Sequence, residues 1–482
     1  MKKIFLILFF LPSIGNAQVE LDWSEQFTIN DNSEIGYTRP KVVYTANNIP
    51  VVMWSKKTNQ EVYVSRWNGS EFGAPLKVTP EGMKVFAQDW AAPDMAAYGN
   101  KVVVTFAAVP EETGLIYTVT STDGGATFSD TVRVSNNPVT RFPAVTVAPD
   151  WSVYVAFMEF EPGYLEPHYT VASSVDGLQP YTKAVKATGP APGEACDCCP
   201  ANIITNGDKQ VLLFRNNDND LRDMWASVSN DNGLTFSTVK EIDTTKWMIG
   251  ACPSSGPSGM LSDDSLYYTW MSGSSGRSRV MIASATSGNL EIGQHKMLTP
   301  DIVQNASQNF PIISGKQNAI GVVWEENISG VSSIMLAASN SGMATLLSDS
   351  IYRVNTESNS FAQNPYVAFS DGVFHITWQD IRSKSIFYRS ATIKGFVAVT
   401  ELNQPLKSIF LYPNPANGIF RIENVISVKK IDVLDANGQL IYSRNVDQES
   451  SIEVDLSDYS SGSYSVKLTG SDFSIVRKIV KQ

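Results

Sequence analysis

Three of the chain's four cysteines crowd into one heptad, EACDCCP at 194–200, and the fourth, Cys252, stands in GACPSSGP. Sulfur this concentrated can do three kinds of chemistry. Cys196, Cys198, Cys199 and Cys252 can form two disulfides, with Cys252 bridging to Cys198 or Cys199 and Cys196 taking the one left over. Their thiolates can hold a soft metal, Cu(I) or Zn²⁺. A single thiol can also stay free and reactive.

A second dense stretch, FRNNDNDLRDMW at 214–225, packs Arg215, Asp218, Asp220, Arg222 and Asp223 between two apolar runs. Asp218, Asp220 and Asp223 are the residue types that bind Ca²⁺, although the spacing and glycine of a calcium loop are missing. Further charged residues fall beside recurring prolines: Arg39 before Pro40, Asp89 and Trp90 before Pro93, Arg141 before Pro143, Glu159 after an apolar run, and Arg382 after another. Arginines interleaved with carboxylates suit a carboxylate or sulfate ligand, which a guanidinium grips with two parallel hydrogen bonds. Asp223 and Glu159 are the candidates for an acid catalyst.

The compartment bears on which sulfur chemistry is available. At the N-terminus Lys2 and Lys3 precede an apolar run, and Gly15 and Ala17 supply small residues ahead of Gln18. That is the pattern of a secretory signal over residues 1–17, too short for a membrane span. An exported chain with an even number of cysteines points first to disulfides. The net charge of −11, with no basic stripe, excludes nucleic acid as a partner class. No other stretch reaches the roughly 18 apolar residues of a transmembrane helix.

The elements that must position these residues are short strands in a repeat. Pro40, Pro93, Pro143, Pro200, Pro253, Pro311 and Pro365 recur at intervals of 50 to 58 residues. Thirteen to seventeen residues after each, an apolar run closes on an aromatic: Trp54, Phe106, Phe157, Phe214, Trp270, Trp324 and Trp378. A third and often a fourth β-branched run follows. Four strands per unit of about 50 residues predict an all-β propeller over 18–398, with seven blades and six as the alternative count. WSEQFTIND (23–31) reads as the strand that closes the ring on blade seven, with FVAVTEL (396–402) as its competitor. By this register Cys199 and Cys252 occupy equivalent places in blades four and five, at the channel mouth where a ligand is expected.

Two turns carry a more specific pattern. STDGGATF holds Ser121, Asp123, Gly125, Thr127 and Phe128, and SNDNGLTF holds Ser229, Asp231, Gly233, Thr235 and Phe236. Their roles are structural: the Asp folds onto backbone N–H groups, the Gly takes a left-handed φ, and the aromatic packs between sheets. These turns resemble the Asp box, or BNR repeat, of the sialidase-like propeller superfamily, and SSVDGL (173–178) looks like an eroded copy. The cysteine heptad, the DNDLRD turn and GACPSSGP together resemble a group of bacterial sialidase-like propellers. The resemblance implies a surface or secreted propeller that binds an anionic glycan at the channel mouth, or binds and hydrolyses it as an exo-sialidase-like glycoside hydrolase. The superfamily's enzymes use three arginines on a carboxylate, an Asp acid and a Tyr–Glu nucleophile pair. This chain departs from that set. Arg39 abuts Pro40, the Arg-x-Pro spacing appears in blade three as Arg141-Phe142-Pro143, and no Tyr–Glu pair is assignable. A non-catalytic glycan- or protein-binding propeller and a thiolate metal protein stand as alternatives.

After a linker at 399–407 the texture changes to YPNPANG, LDANGQLIY and LSDYSSGSYSVKL, a small immunoglobulin-like β-sandwich over 408–482. Those landmarks, in that order, closely resemble the type A sorting domain of the type IX secretion system. The resemblance implies a Bacteroidetes-type bacterium, partnership with that secretion machinery, passage through periplasm and outer membrane, and removal of both the signal and the sorting domain.

Overall fold

The computed structural model describes residues 19–29, 37–111, 113–300, 305–346, 351–396, 409–425, 428–436, 438–447, 449–470 and 474–482. The signal segment and almost all of FVAVTEL lie outside them. The chain divides into two compact units, 1–397 and 398–482. Among the described residues the only helices are two 3-10 turns, Ala46–Asn48 and Met343–Thr345.

The first unit is a propeller of seven antiparallel sheets. Their inner strands are Tyr37–Thr45, Asp94–Tyr98, Thr140–Val147, Asn202–Asn206, Ser258–Ser262, Ser307–Lys316 and Ala362–Ser370. Alternation on both faces of each sheet places apolar side chains between blades, so the core is seven packets, one at every junction. All seven aromatics named from the repeat are 0–1 % exposed. The ring closes through the N-terminal segment: Leu21–Trp23 and Phe27–Thr28 both pair with Ser385–Ile393 of blade seven. That supplies the outer strand this blade's own sequence lacks.

The pairing corrects the proline register in two blades. Lys41, Asp94, Ala144, Asn202, Ser258, Ile312 and Tyr366 each face the residue just before their blade's aromatic, and so form one layer. The residue ahead of this layer is proline in six blades, but in blade five it is Pro257, not Pro253, and in blade four it is Ala201, one past Pro200. A window of thirteen to seventeen residues admitted either proline of CPSSGP. Cys199 and Cys252 are therefore not at equivalent positions. Pro40, Pro143, Pro311 and Pro365 sit inside their strands, whereas Pro93 and Pro257 directly precede theirs. In blades one, three, six and seven the preceding residue (Arg39, Phe142, Phe310 or Asn364) takes a φ of +42° to +52°, and the ladder shifts register there as a bulge.

Both Asp boxes form the same network. Asp123 accepts from the backbone N–H of Ala126 (3.0 Å) and Thr127 (2.9 Å) and from the Ser121 and Thr127 hydroxyls (2.7 and 2.6 Å). Asp231 repeats the bonds from Ser229 (2.7 Å) and from the N–H and hydroxyl of Thr235 (2.9 and 2.6 Å).

The second unit is a sandwich of a three-stranded sheet (Phe410–Tyr412, Ile419–Glu423, Ser451–Asp455) and a four-stranded one (Val428–Leu434, Leu440–Asn445, Gly462–Gly470, Ser474–Lys481). Phe420, Ile422, Ile431, Val433, Val454, Val466 and Leu468 fill it.

Two predictions follow from these contacts. Trp324→Ala should cost about 3–5 kcal/mol, read as a lowered midpoint in denaturant unfolding. Partial burial alone would raise the Asp123 acid, but the bonds from Thr127, Ser121 and Ala126 hold it at about 2. Its stabilising contribution is complete above the ordinary carboxylate value and is lost as pH falls toward about 2. Asp123→Ala should flatten that part of the Tm-against-pH curve.

Candidate functional site

The four cysteines gather where blade four meets blade five. The chain entering blade four first lays Glu194–Ala195 against Asn217 and Asn216, which extends the second strand beyond the sheet proper. Gly193 makes this entry: its φ is +67°, and a Cβ there would lie 2.4 Å from the Asn217 carbonyl oxygen. A turn through 196–199 follows, closed by Cys199 N–H donating to the Cys196 carbonyl (3.1 Å). On the blade-five side, Gly256 passes so close that a Cβ would stand 1.8 Å from the Pro200 carbonyl oxygen.

Cys198 and Cys252 form a disulfide with a Cα–Cα distance of 6.3 Å. Cys196 and Cys199 are buried thiols and do not form the second bridge. Cys196 Sγ lies 3.5 Å from Cys198 Sγ, and Cys198 Sγ lies 3.9 Å from Cys199 Sγ. Arg222 Nη1 donates to Cys196 Sγ at 3.1 Å. A hydrogen bond with Cys199, set against burial and helped by Arg215 and Arg222, brings the Cys196 thiol down to about 7. Burial pushes the Cys199 thiol up.

The arginines named from sequence are largely occupied inside the protein. Arg215 is 0 % exposed and donates to the carbonyls of Ser255, Arg222 and Met271, so it ties blades four and five together and offers nothing to a ligand. Arg222 holds the Ile249 carbonyl as well as Cys196. Arg141 pairs with Glu111 at 2.8 Å and lies against the Phe160 and Tyr164 rings. Arg39 reaches Asn364 Oδ1 (3.1 Å) and the Asp89 carbonyl (3.3 Å) and lies over Phe310. Asp89 is bonded by Lys57, Trp90 packs on Phe86 and Phe142, and the exposed Arg382 holds Asn359. The channel beside Arg39 keeps a cavity of only about 60 Å³, lined by Lys41, Asp94, Trp90 and Tyr366 among others, with Lys41 and Asp94 ion-paired.

The larger space lies elsewhere. A cavity of about 560 Å³ opens between blades three and four, lined by Glu166, His168, Lys186, Glu194, Asn216, Asn217, Asp218, Asn219 and Asp220. Glu166, Lys186, Glu194 and the asparagines were not among the residues named from sequence. The signal for Glu166, Lys186 and Glu194 is the long interval from Pro143 to Pro200, in which all three fall. Asp218 and Asp220 open onto this space, whereas Asp223 is 2 % exposed beside Asp243 and Lys246.

Both candidate acids carry raised values, as do Asp243 and Glu325. Burial, followed by the nearby Asp243 and Glu241 carboxylates, lifts Asp223 to about 6, and its Oδ1 has no hydrogen-bond partner. Burial likewise raises Glu159, whose Oε2 stands 3.9 Å from Nε2 of the cavity residue His168.

Residues 410–482 match the family model of the secretion system C-terminal sorting domain. The second unit is that domain, and it marks the chain for delivery by type IX secretion to the cell surface or beyond. No helix among the described residues is long and apolar enough to cross a membrane. No curated protein matches the chain in sequence. Among solved structures, an ulvan lyase described as a new family of polysaccharide lyase is 11% identical, with 76% of this chain and 95% of that chain covered and a TM-score of 0.51. A protein of unknown function from Dyadobacter fermentans is also 11% identical, over 78% and 99% of the two chains, with a TM-score of 0.46. Trypanosoma rangeli sialidase in complex with sialic acid is 11% identical over 94% and 86%, with a TM-score of 0.42. At this identity the lyase shares the propeller fold.

The raised Asp223 acid gives a signed prediction. The folded state prefers its proton, so its contribution to stability falls as pH rises from the ordinary carboxylate value through about 6. Asp223→Asn should raise Tm near neutral pH, and the gain should vanish by about pH 4.

Proposed function

We propose that this exported propeller binds a hydroxyl-rich, glycan-like ligand in the cleft between blades three and four. The lining of that cleft carries the reading. Asn217 and Asn219 offer both donors and acceptors, Asn216 lies buried behind them with its amide on the Pro192 carbonyl, and Glu166, Glu194, Asp218 and Asp220 offer acceptors, which together match sugar hydroxyls that donate and accept. Four carboxylates against Lys186 and His168 make the cleft acidic, so neutral or amino sugars suit it better than an anionic glycan. The engagement of Arg39, Arg141, Arg215 and Arg222 within the protein supports the same choice over a sialidase-like carboxylate clamp.

Hydrolysis is the second reading, favoured by one observation. Glu159, whose carboxyl is raised by burial, stands 3.9 Å from the cleft residue His168, and a general acid is served by a raised carboxyl.

A glycan array run beside a panel of fluorogenic glycosides tests both readings. Binding to neutral or amino-sugar glycans, weakened about tenfold by Asn217→Ala with Asp218→Ala, is the expected result. No glycan bound, or binding indifferent to that pair, overturns the cleft. Turnover that survives Glu159→Gln overturns the hydrolytic role of Glu159.

A further inference from the structure

We infer that the sulfur cluster between blades four and five is a thiolate site for a soft d¹⁰ cation, Cu(I) or Zn²⁺, held by Cys196, Cys198 and Cys252 once the Cys198–Cys252 bridge is reduced. Among the described residues these three form the only group of metal-capable side chains whose ligand atoms all lie within 4.8 Å of one another. The Cys196–Cys198 sulfur separation of 3.5 Å is close to the edge of a coordination polyhedron. With metal–sulfur bonds of about 2.3 Å, ligand sulfurs stand roughly 3.8 Å apart. Cys199 Sγ, 3.9 Å from Cys198 Sγ, stands outside this mutual group, so the site offers three sulfurs and leaves a fourth position to solvent.

The surroundings fit ligation better than they fit a plain staple. A bridge needs two sulfurs, yet two more buried sulfurs are packed against it. Arg222 donates to Cys196 Sγ at 3.1 Å, a bond that offsets negative charge on a ligating thiolate. The Tyr169 hydroxyl fixes the Cys199 carbonyl at 2.7 Å, which holds the turn carrying three of the sulfurs. Cys252 is exposed, so the cation enters from solvent on the blade-five side while Cys196 waits buried.

The two states interconvert by a balanced step. A dithiol reductant gives two electrons and two protons to the Cys198–Cys252 bond and becomes a disulfide itself. The cation then displaces the thiol protons. A disulfide oxidant reverses the sequence: it takes two electrons from the Cys198 and Cys252 thiolates, leaves as a dithiol, and the re-formed bridge releases the metal, since a disulfide sulfur is a poor ligand.

The full chain, reduced anaerobically and freed of reductant, is titrated with Co²⁺ as a spectroscopic stand-in for Zn²⁺ and with Cu(I) against a coloured chelator. The expected result is a sulfur-to-metal charge-transfer band saturating at about one equivalent per chain, bleached when Zn²⁺ displaces Co²⁺. Cys252→Ser and Cys196→Ser should each weaken binding at least about tenfold. Cys252 is exposed, so its variant decides the matter even if Cys196→Ser fails to fold. Reduced protein with four titratable thiols that takes up neither metal overturns the site. Uptake unchanged in Cys252→Ser overturns it equally.

Discussion

Inner strands of neighbouring blades do not share a ladder, so their backbone N–H groups would face the channel junctions without partners. The protein answers with side-chain acceptors handed from blade to blade. Val145 N–H donates to Asp94 Oδ2 at 2.9 Å, and Gly259 N–H to Asn202 Oδ1 at 2.9 Å. Ile313 N–H donates to Ser258 Oγ at 3.2 Å, and Phe369 N–H to Ser314 Oγ at 3.0 Å. Asp94, Asn202 and Ser258 belong to one layer of the ring, the layer that also sets the buried aromatics. Lys41 then neutralises Asp94, so the only carboxylate in that layer is spent on structure. The cavity beside Arg39 is small, about 60 Å³, and the roomier cleft lies to the side, between blades three and four.

That placement depends on blade four. Its extra entry segment runs along the second strand, walls a cleft against blade three, and turns sharply through the cysteines, where Cys198 bridges to Cys252, before entering the blade's own inner strand. Arg215 and Arg222 are the pins of this arrangement. One is bound to three carbonyls and the other to a carbonyl and a sulfur. Charge that reads from sequence as a receptive rim is thus internal mortar. A guanidinium has five donors in a rigid fork, and buried carbonyls that lack ladder partners compete for them as well as any ligand does.

The legible part of the fold was what repeats. Seven aromatics at a fixed place in the second strand, and two Asp boxes with all their polar residues in register, follow from local rules of strand and turn. The ring-closing role of the segment around Trp23 and Phe27 was legible too, because blade seven lacks an outer strand of its own. What escaped was registration where the repeat is interrupted. CPSSGP offers two prolines to one structural place, and only the pairing of Ser258 with Thr269 selects Pro257. The cleft escaped for a related reason. Its polar lining comes from Lys186, Glu194 and Asn217, which lie on separate strands, and no linear motif joins them. Side-chain occupancy is harder still, since whether Arg141 meets a ligand or Glu111 is decided thirty residues away.

The pairing of Leu21 with Ile393 sets a timetable for a chain that must leave the cell. Contacts this distant in sequence form late, after shorter loops have closed. Six blades can collapse as the polypeptide emerges, but the last one keeps a bare sheet edge until both extremities of the propeller are present in the same compartment. The sorting domain follows that final blade in the chain. The sorting domain is thus made only after the edge can be sealed, and a product cut short before Ser385 would possess neither.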